Sequence, residues 1–315
     1  MRAVILDAKT LGEDISLTPI ANITELTTYP TTSPEEIPAR IYDAEVVIVN
    51  KIRLNESNLS GAARLRLICV AATGYDNIDT EYCRLHGIAV CNVLGYSTHS
   101  VAQLTVSLVL SLMMHLPDFT KYVRDGSYTE SGIANRLYPA FHELFGKTWG
   151  IVGAGNIGGQ VARIAEAFGC QILVCRRMKD PIYKTVDIDT LCKESDIITL
   201  HTPLTEETKH LISRERISMM KDGVIIVNAA RGAVTDEEAI AEAVVSGKIG
   251  GLGCDVYSTE PLEATHPLYA IRNHETVCLT PHMAWGAVEA RQRCIDEISQ
   301  NILSFVQNGT RSRVV

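Results

Sequence analysis

The sequence lacks any frame of paired cysteines. Its nine cysteines are scattered from Cys69 to Cys294, with no CxxC pair and no Cys/His run at metal-ligand spacing. An odd, dispersed set excludes a disulfide-stapled secreted scaffold and offers no metal site, so reduced thiols in an intracellular compartment are expected. Basic charge is also in deficit: 29 Lys and Arg stand against 37 Asp and Glu, a formal net charge of −8. That is the wrong sign for a protein that gathers phosphate backbones over a broad face, so no nucleic-acid partner is expected. Long apolar runs are missing as well. The N-terminal run ends at Leu6 before Asp7, too short for a signal peptide. The longest apolar stretch, Val101 to Leu116, carries Gln103, Thr105, Ser107, Ser111 and His115. A membrane span needs about 20 nearly uninterrupted apolar residues, so this stretch is expected as a buried helix in a cytoplasmic protein with no membrane partner.

Core material, by contrast, is plentiful. Of 315 residues, 46% are hydrophobic and 21% charged, and the length suggests two domains. Short β-branched runs at Ala3–Leu6, Val46–Val49, Leu67–Val70 and Ile88–Val93 read as buried strands, separated by helix-compatible segments such as Asn55–Arg64 and Asp79–His86. The rhythm recurs at Thr148–Val152, Gln171–Cys175, Asp196–Leu200, Val224–Asn228, Gly250–Asp255 and Thr276–Thr280. Strands alternating with helices imply right-handed crossovers and parallel sheets, hence an α/β protein. A long helical pattern from Ser97, expected to be closed by Pro117, divides the two sets. A polar arm dotted with aromatics, Asp118 to Gly146, follows it, and a final amphipathic helix is expected over Glu289–Gln307.

The first chemical signal is a glycine-rich turn. The strand ending at Val152 runs directly into Gly153-Ala154-Gly155-Asn156-Ile157-Gly158 and then a helical pattern. In that context Gly153 makes the tight turn, Gly155 lets backbone N–H groups approach a pyrophosphate, and Gly158 allows close packing of helix on strand. The helix N-terminus supplies partial positive charge for the phosphates. An acidic residue is expected at the end of the next strand, about 20 positions on, to hold the adenosine ribose. The sequence instead has Cys175-Arg176-Arg177, with no carboxylate until Asp180. Guanidiniums bind phosphate oxygens through forked hydrogen bonds, so NADP is favoured over NAD, with NAD as the alternative.

Hydride chemistry on a ketone also needs a proton donor, a cation for any substrate carboxylate, and a group that holds the donor. Three motifs after successive expected strands offer that set: Ala229-Ala230-Arg231-Gly232, Asp255-Val256-Tyr257-Ser258-Thr259-Glu260-Pro261, and Pro281-His282-Met283-Ala284-Trp285. Ligands of open α/β sheets bind at the carboxyl ends of strands, so Arg231, Glu260 and His282 fit one site. His201 is the nearest rival as the acid. The other histidines, His266 among them, share no spacing and are expected at the surface or in packing roles.

At this point the chain resembles the D-isomer-specific 2-hydroxyacid dehydrogenases, over about Asp43 to Val315. The likeness is carried by Ala72-Thr73-Gly74-Tyr75-Asp76-Asn77-Ile78-Asp79, the glycine-rich turn, His201-Thr202-Pro203-Leu204-Thr205, Asn228 through Gly232, Asp255 through Pro261, and Thr280-Pro281-His282. Tyr96-Ser97-Thr98, Val101-Ala102-Gln103 and Pro281 through Trp285 are most similar to the glycerate dehydrogenase/hydroxypyruvate reductase branch. Arg176 departs from the family pattern, in which NAD-using members carry an aspartate.

The resemblance implies two doubly wound parallel-sheet domains, a Rossmann-type cofactor domain at 97–285 inserted into a flavodoxin-like substrate domain at 1–96 and 286–315. It implies His282 as general acid/base, Glu260 as the partner of its far nitrogen, and Arg231 on the substrate carboxylate and keto oxygen. Thr73 and Gly74 are implied as backbone contacts to that carboxylate, with Lys51 as a second cation. Asp255 would meet the nicotinamide or its ribose, Thr105 would touch the cofactor, and the loop with His201, Thr202, Pro203 and Thr208 would lie over it together with Ala229 and Ala230. The implied reaction is reversible reduction of a small 2-keto acid, hydroxypyruvate or glyoxylate, in a cleft between the domains of a homodimer. Two alternatives stay open: a dehydrogenase for a phosphoglycerate- or lactate-type acid, and a dinucleotide sensor that turns nothing over.

Overall fold

A computed structural model describes all 315 residues and divides the chain into two compact units. One comprises Met1–Ser97 with Trp285–Val315, the other Thr98–Ala284. No single helix is long and apolar enough to cross a membrane.

The first unit is built on five parallel strands, β1 (Arg2–Ile5), β2 (Glu25–Thr28), β3 (Val46–Val49), β4 (Leu67–Val70) and β5 (Ala89–Cys91), in the order β2-β1-β3-β4-β5. This is the flavodoxin-like order, with its switch point between β1 and β3. Every residue of β3 and β4 is buried, which is why those strands appear in the sequence as unbroken apolar runs. The helix Val288–Val306 lays Ala290, Cys294, Ile295, Ile298 and Ile302 on one face of this sheet.

The second unit holds seven parallel strands: β6 (Thr148–Val152), β7 (Gln171–Cys175), β8 (Lys184–Thr185), β9 (Ile197–Leu200), β10 (Val224–Asn228), β11 (Ile249–Cys254) and β12 (Val277–Leu279). Their order, β12-β11-β10-β9-β6-β7-β8, is the Rossmann arrangement extended by one strand, with the switch point between β6 and β9. The helix Thr98–Met113 lies on β11, where glycines make room: a Cβ at Gly253 would stand 3.1 Å from Leu108 Cβ, and one at Gly251 would stand 3.4 Å from Leu112 Cβ. Trp149 is fully buried in β6 and donates its indole N–H to Thr199 Oγ1 at 3.1 Å.

Three local expectations need correction. The strands β2 and β8 gave no sequence signal, because each is a polar edge strand with mostly exposed side chains and no apolar run. The long helix stops at Met113, before Pro117; His115 turns left-handed at φ 48, and Pro117 sits in the first turn of a new helix, Leu116–Arg124. Proline there starts a helix, since a first-turn N–H has no intrahelical partner to lose. The arm beyond it also contains a short helix, Ser127–Ser131.

Candidate active site

The glycine-rich turn stands at the switch point of the second unit. Gly153 has φ +89, and a Cβ on it would stand 2.7 Å from the carbonyl oxygen of His201 at the end of β9, so no other residue fits. A Cβ at Gly158 would lie 2.2 Å from the Gly153 oxygen, which explains how closely the helix Asn156–Ala167 approaches β6. Gly155 differs: it caps that helix with open space where a Cβ would project. Asn156 and Ile157 therefore open the helix onto room for a pyrophosphate, and the turn fits a dinucleotide.

At the end of β7, Arg176 pairs with Asp180 at 2.9 Å. Asp180 is fixed in turn by N–H groups from Ile182 and Tyr183, both at 3.0 Å, and backbone hydrogen bonds hold its carboxyl below the ordinary range. Arg177 reaches Glu207 at 2.8 Å, linking this corner to the loop that starts at His201. In that loop Thr208 donates its hydroxyl to the Pro203 carbonyl at 2.7 Å and accepts the Thr205 N–H at 2.7 Å, while Thr202 is half-buried. The His201 ring is enclosed: Nε2 lies 3.0 Å from Thr199 Oγ1, and Nδ1 is buried without a hydrogen-bond partner. Burial pushes its pKa down to about 3, so it stays neutral at physiological pH and is unsuited to be the acid.

Strands β10, β11 and β12 are consecutive neighbours, so their carboxyl ends share one edge. At the end of β10, buried Asn228 shapes the next turn, accepting the Ala230 N–H at 3.0 Å and donating to the Arg231 carbonyl at 2.9 Å. Ala229 and Ala230 thus carry half-buried Arg231 to the site, with its Nη1 donating to the Ala230 carbonyl at 2.8 Å. The turn abuts the loop after β11, since a Cβ on Gly232 would stand 2.1 Å from the carbonyl carbon of Tyr257. In that loop Glu260 accepts the Tyr257 N–H on Oε1 at 3.1 Å and meets His282 Nδ1 with Oε2 at 2.6 Å. The pair is partly open to solvent, with side chains 24% and 31% exposed. His282 has φ 52, a left-handed backbone that a non-glycine residue adopts only where its surroundings enforce it.

Asp255 supplies part of that enforcement. It is fully buried, accepting the Thr280 hydroxyl at 2.6 Å and the N–H groups of Met283 and Ala284 at 2.9 Å each. The carboxylate expected to meet the nicotinamide is thus engaged in bracing both sides of the His282 turn. Thr105 is likewise fully buried and donates its hydroxyl to the Val101 carbonyl at 2.8 Å, one turn back in its own helix. Spacing alone also missed the supporting roles of Asn228, which bonds within its own turn, and of Thr280, whose partner Asp255 is brought to it only by the fold.

Lys51, Thr73 and Gly74 belong to the first unit. Lys51 follows β3 at the switch point, where buried Asp7 takes N–H groups from Asn50, Lys51 and Ile52, the Lys51 bond at 2.7 Å. Burial raises the Asp7 carboxyl despite those bonds. Thr73 follows β4, donating its hydroxyl to the Val93 carbonyl at 2.8 Å and accepting from Asn92 Nδ2 at 2.7 Å; Gly74 beside it is half-buried.

Comparisons with known proteins agree with this architecture. Residues 106–284 match the model of the D-isomer specific 2-hydroxyacid dehydrogenase NAD binding domain. A hydroxypyruvate reductase of Blautia hydrogenotrophica is 34% identical, covering 98% of this chain and 97% of the relative. A glycerate dehydrogenase of Methylorubrum extorquens is 35% identical over 88% of this chain and 87% of its own length. The crystal structure of a D-lactate dehydrogenase from Aquifex aeolicus, complexed with NAD and lactic acid, superposes with a TM-score of 0.84 at 31% identity, covering 98% of this chain and 96% of that one. The chain belongs to the D-isomer-specific 2-hydroxyacid dehydrogenase family, in its glycerate dehydrogenase/hydroxypyruvate reductase branch.

Proposed function

We propose that this protein is an NAD(P)-dependent oxidoreductase interconverting a small 2-keto acid and its D-2-hydroxy acid, with hydroxypyruvate or glyoxylate as the favoured keto acid. The observation that carries the reading is the 2.6 Å contact between His282 Nδ1 and Glu260 Oε2, on loops after neighbouring strands and beside the turn that bears Arg231. The cofactor, held at Gly153, Gly155, Asn156, Ile157 and Gly158, supplies the hydride for the keto carbon when bound. His282 gives a proton from Nε2 to the carbonyl oxygen in reduction and takes it back in oxidation. Glu260 fixes the ring through Nδ1, so that Nε2 faces the reacting oxygen. Arg231 holds the substrate carboxylate, for which its planar fork is suited. Lys51, Thr73 and Gly74 are assigned to the same carboxylate on the family pattern, while Asp255 is assigned to the His282 turn on the bonds described above.

The preference for NADP rests on Arg176 and Arg177, with Arg176 already oriented by Asp180. The homodimer rests on the arm after the helix Thr98–Met113: Val123, Ile133, Leu137, Tyr138 and Phe145 are each at least 60% exposed, a density of apolar side chains that fits burial against a second copy. The nine unpaired thiols fit a reducing, cytoplasmic setting.

The test is cofactor oxidation with a panel of hydroxypyruvate, glyoxylate, pyruvate and bulkier 2-keto acids, run with NADPH and with NADH. Turnover with a small keto acid is expected, and His282→Ala should lower kcat by about 100-fold or more while still binding cofactor. A fully active His282→Ala variant refutes the mechanism. Cofactor binding without turnover of any keto acid favours the sensor reading, and a clear NADH preference overturns the cofactor assignment.

A further inference from the structure

A buried side-chain network lies behind the Glu260 loop. Glu237 opens the helix Glu237–Val245 at 9% exposure, and His266 caps the short helix Pro267–Ala270 at 7%. His266 Nδ1 accepts the Leu268 N–H at 3.2 Å, so the neutral ring carries its single proton on Nε2. That proton faces Glu237 Oε2 at 3.0 Å, with Ser258 Oγ at 3.2 Å. The other Glu237 oxygen accepts the Ser258 N–H at 3.1 Å. The Tyr257 ring stands edge-on to the imidazole, with centroids 6.0 Å apart.

Glu237 thus ties together two helices and the loop between β11 and Glu260. The consecutive amides of Tyr257 and Ser258 are held by different carboxylates, Glu260 and Glu237 respectively. On the far side, Gly232 leaves that backbone no room to retreat. A helix cap at position 266 requires only a hydrogen-bond acceptor, which Ser, Asn or Asp would provide. Histidine adds a donor aimed at a nearly buried carboxylate, a group that is costly to bury unless its bonds are satisfied.

We propose that Glu237 and His266 are positioning residues for the reaction: they clamp the Tyr257–Ser258 backbone, which fixes Glu260 and, through it, His282. The proposal rests on the catalytic assignment of Glu260 and His282 given above. Two variants separate the clamp from the cap. His266→Asn keeps an acceptor for Leu268 but is too short to reach Glu237. Glu237→Gln keeps an oxygen for Ser258 and sets an amide N–H against His266 Nε2–H.

Each variant is measured by hydrogen exchange of the 256–261 segment in cofactor-free protein, and by kcat and KM in wild-type and Glu260→Gln backgrounds. Exchange of that segment should quicken about tenfold, with the 98–113 helix unchanged. In the wild-type background kcat should fall about tenfold, with the cofactor KM within about twofold. In the Glu260→Gln background the further loss should be under about twofold, because the residue through which the clamp acts is already gone. Equal losses in both backgrounds, or unchanged exchange and kcat, overturn the proposal. If Glu237→Gln does not fold, His266→Asn alone completes the cycle. A wild-type protein that reduces no 2-keto acid defeats the functional reading instead, and the exchange data still decide whether the clamp exists.

Discussion

The enclosed ring of His201 makes a quantitative prediction about stability. Its Nε2 is satisfied by Thr199 Oγ1, which also receives the Trp149 indole N–H, and its buried Nδ1 has no partner to receive a second proton. Folding therefore depresses the imidazole pKa to about 3, from its ordinary value near 6.5. Above pH 6.5 both folded and unfolded chains hold the ring neutral, and stability does not depend on it. Below that, the unfolded chain takes up a proton that the folded chain refuses, so stability is lost as pH falls. The slope is about 1.4 kcal/mol per pH unit, or about 2 kcal/mol between pH 6.5 and 5. His201→Gln keeps an amide for Thr199 and removes the titration. Urea unfolding at pH 7.5, 6 and 5, followed by Trp149 emission in a Trp285→Phe background, compares the two proteins. Any stability advantage of the wild type over His201→Gln should shrink by about 2 kcal/mol across that range. A difference constant to within about 0.3 kcal/mol would mean that the ring is hydrated or charged in the folded state, and the argument would fail.

Gly232→Ala should be among the most damaging single-methyl changes in the chain. The added carbon meets the Tyr257 and Ser258 backbone at 2.1 and 2.2 Å, so a loss of about 1–3 kcal/mol in denaturant unfolding is expected together with a large fall in kcat. Arg176→Ser should weaken NADPH binding about tenfold or more and leave NADH nearly unchanged, because a charged hydrogen bond is worth roughly 1.5–3 kcal/mol; titration calorimetry with both cofactors measures this. Asp255→Ala removes the acceptor of three hydrogen bonds and should reduce kcat more than substrate KM, which steady-state kinetics will separate.

Much of the site was legible in the chain because its chemistry sits at strand ends. A strand buried on both faces must be an unbroken apolar run, so β3, β4, β6, β9 and β10 announce themselves, and the residues just after them follow. Gly153 and Gly158 were legible for a related reason: a local backbone path that excludes side chains leaves glycine in the sequence. What escaped notice depends on partners distant in the chain. The bond between His266 and Glu237 spans 29 residues, and Asp255 meets Ala284 across another 29, distances over which no local spacing rule operates. The Thr105 hydroxyl is another such case, since helical periodicity does not reveal whether a hydroxyl turns outward or back to the preceding turn.

The amino-acid order by itself determined the alternation of strands and helices, the dinucleotide turn, and the succession Arg231, Glu260, His282, since each is a matter of local burial pattern or backbone steric need. Tertiary structure alone decided which groups meet. Parallel pairing of β10, β11 and β12 brings their ends to one edge, where Asp255 braces a left-handed His282 and Glu237 reaches the backbone beside Glu260. Hydrogen bonds of that kind depend on distances of a few ångströms in space, and those distances exist only once the sheet has formed.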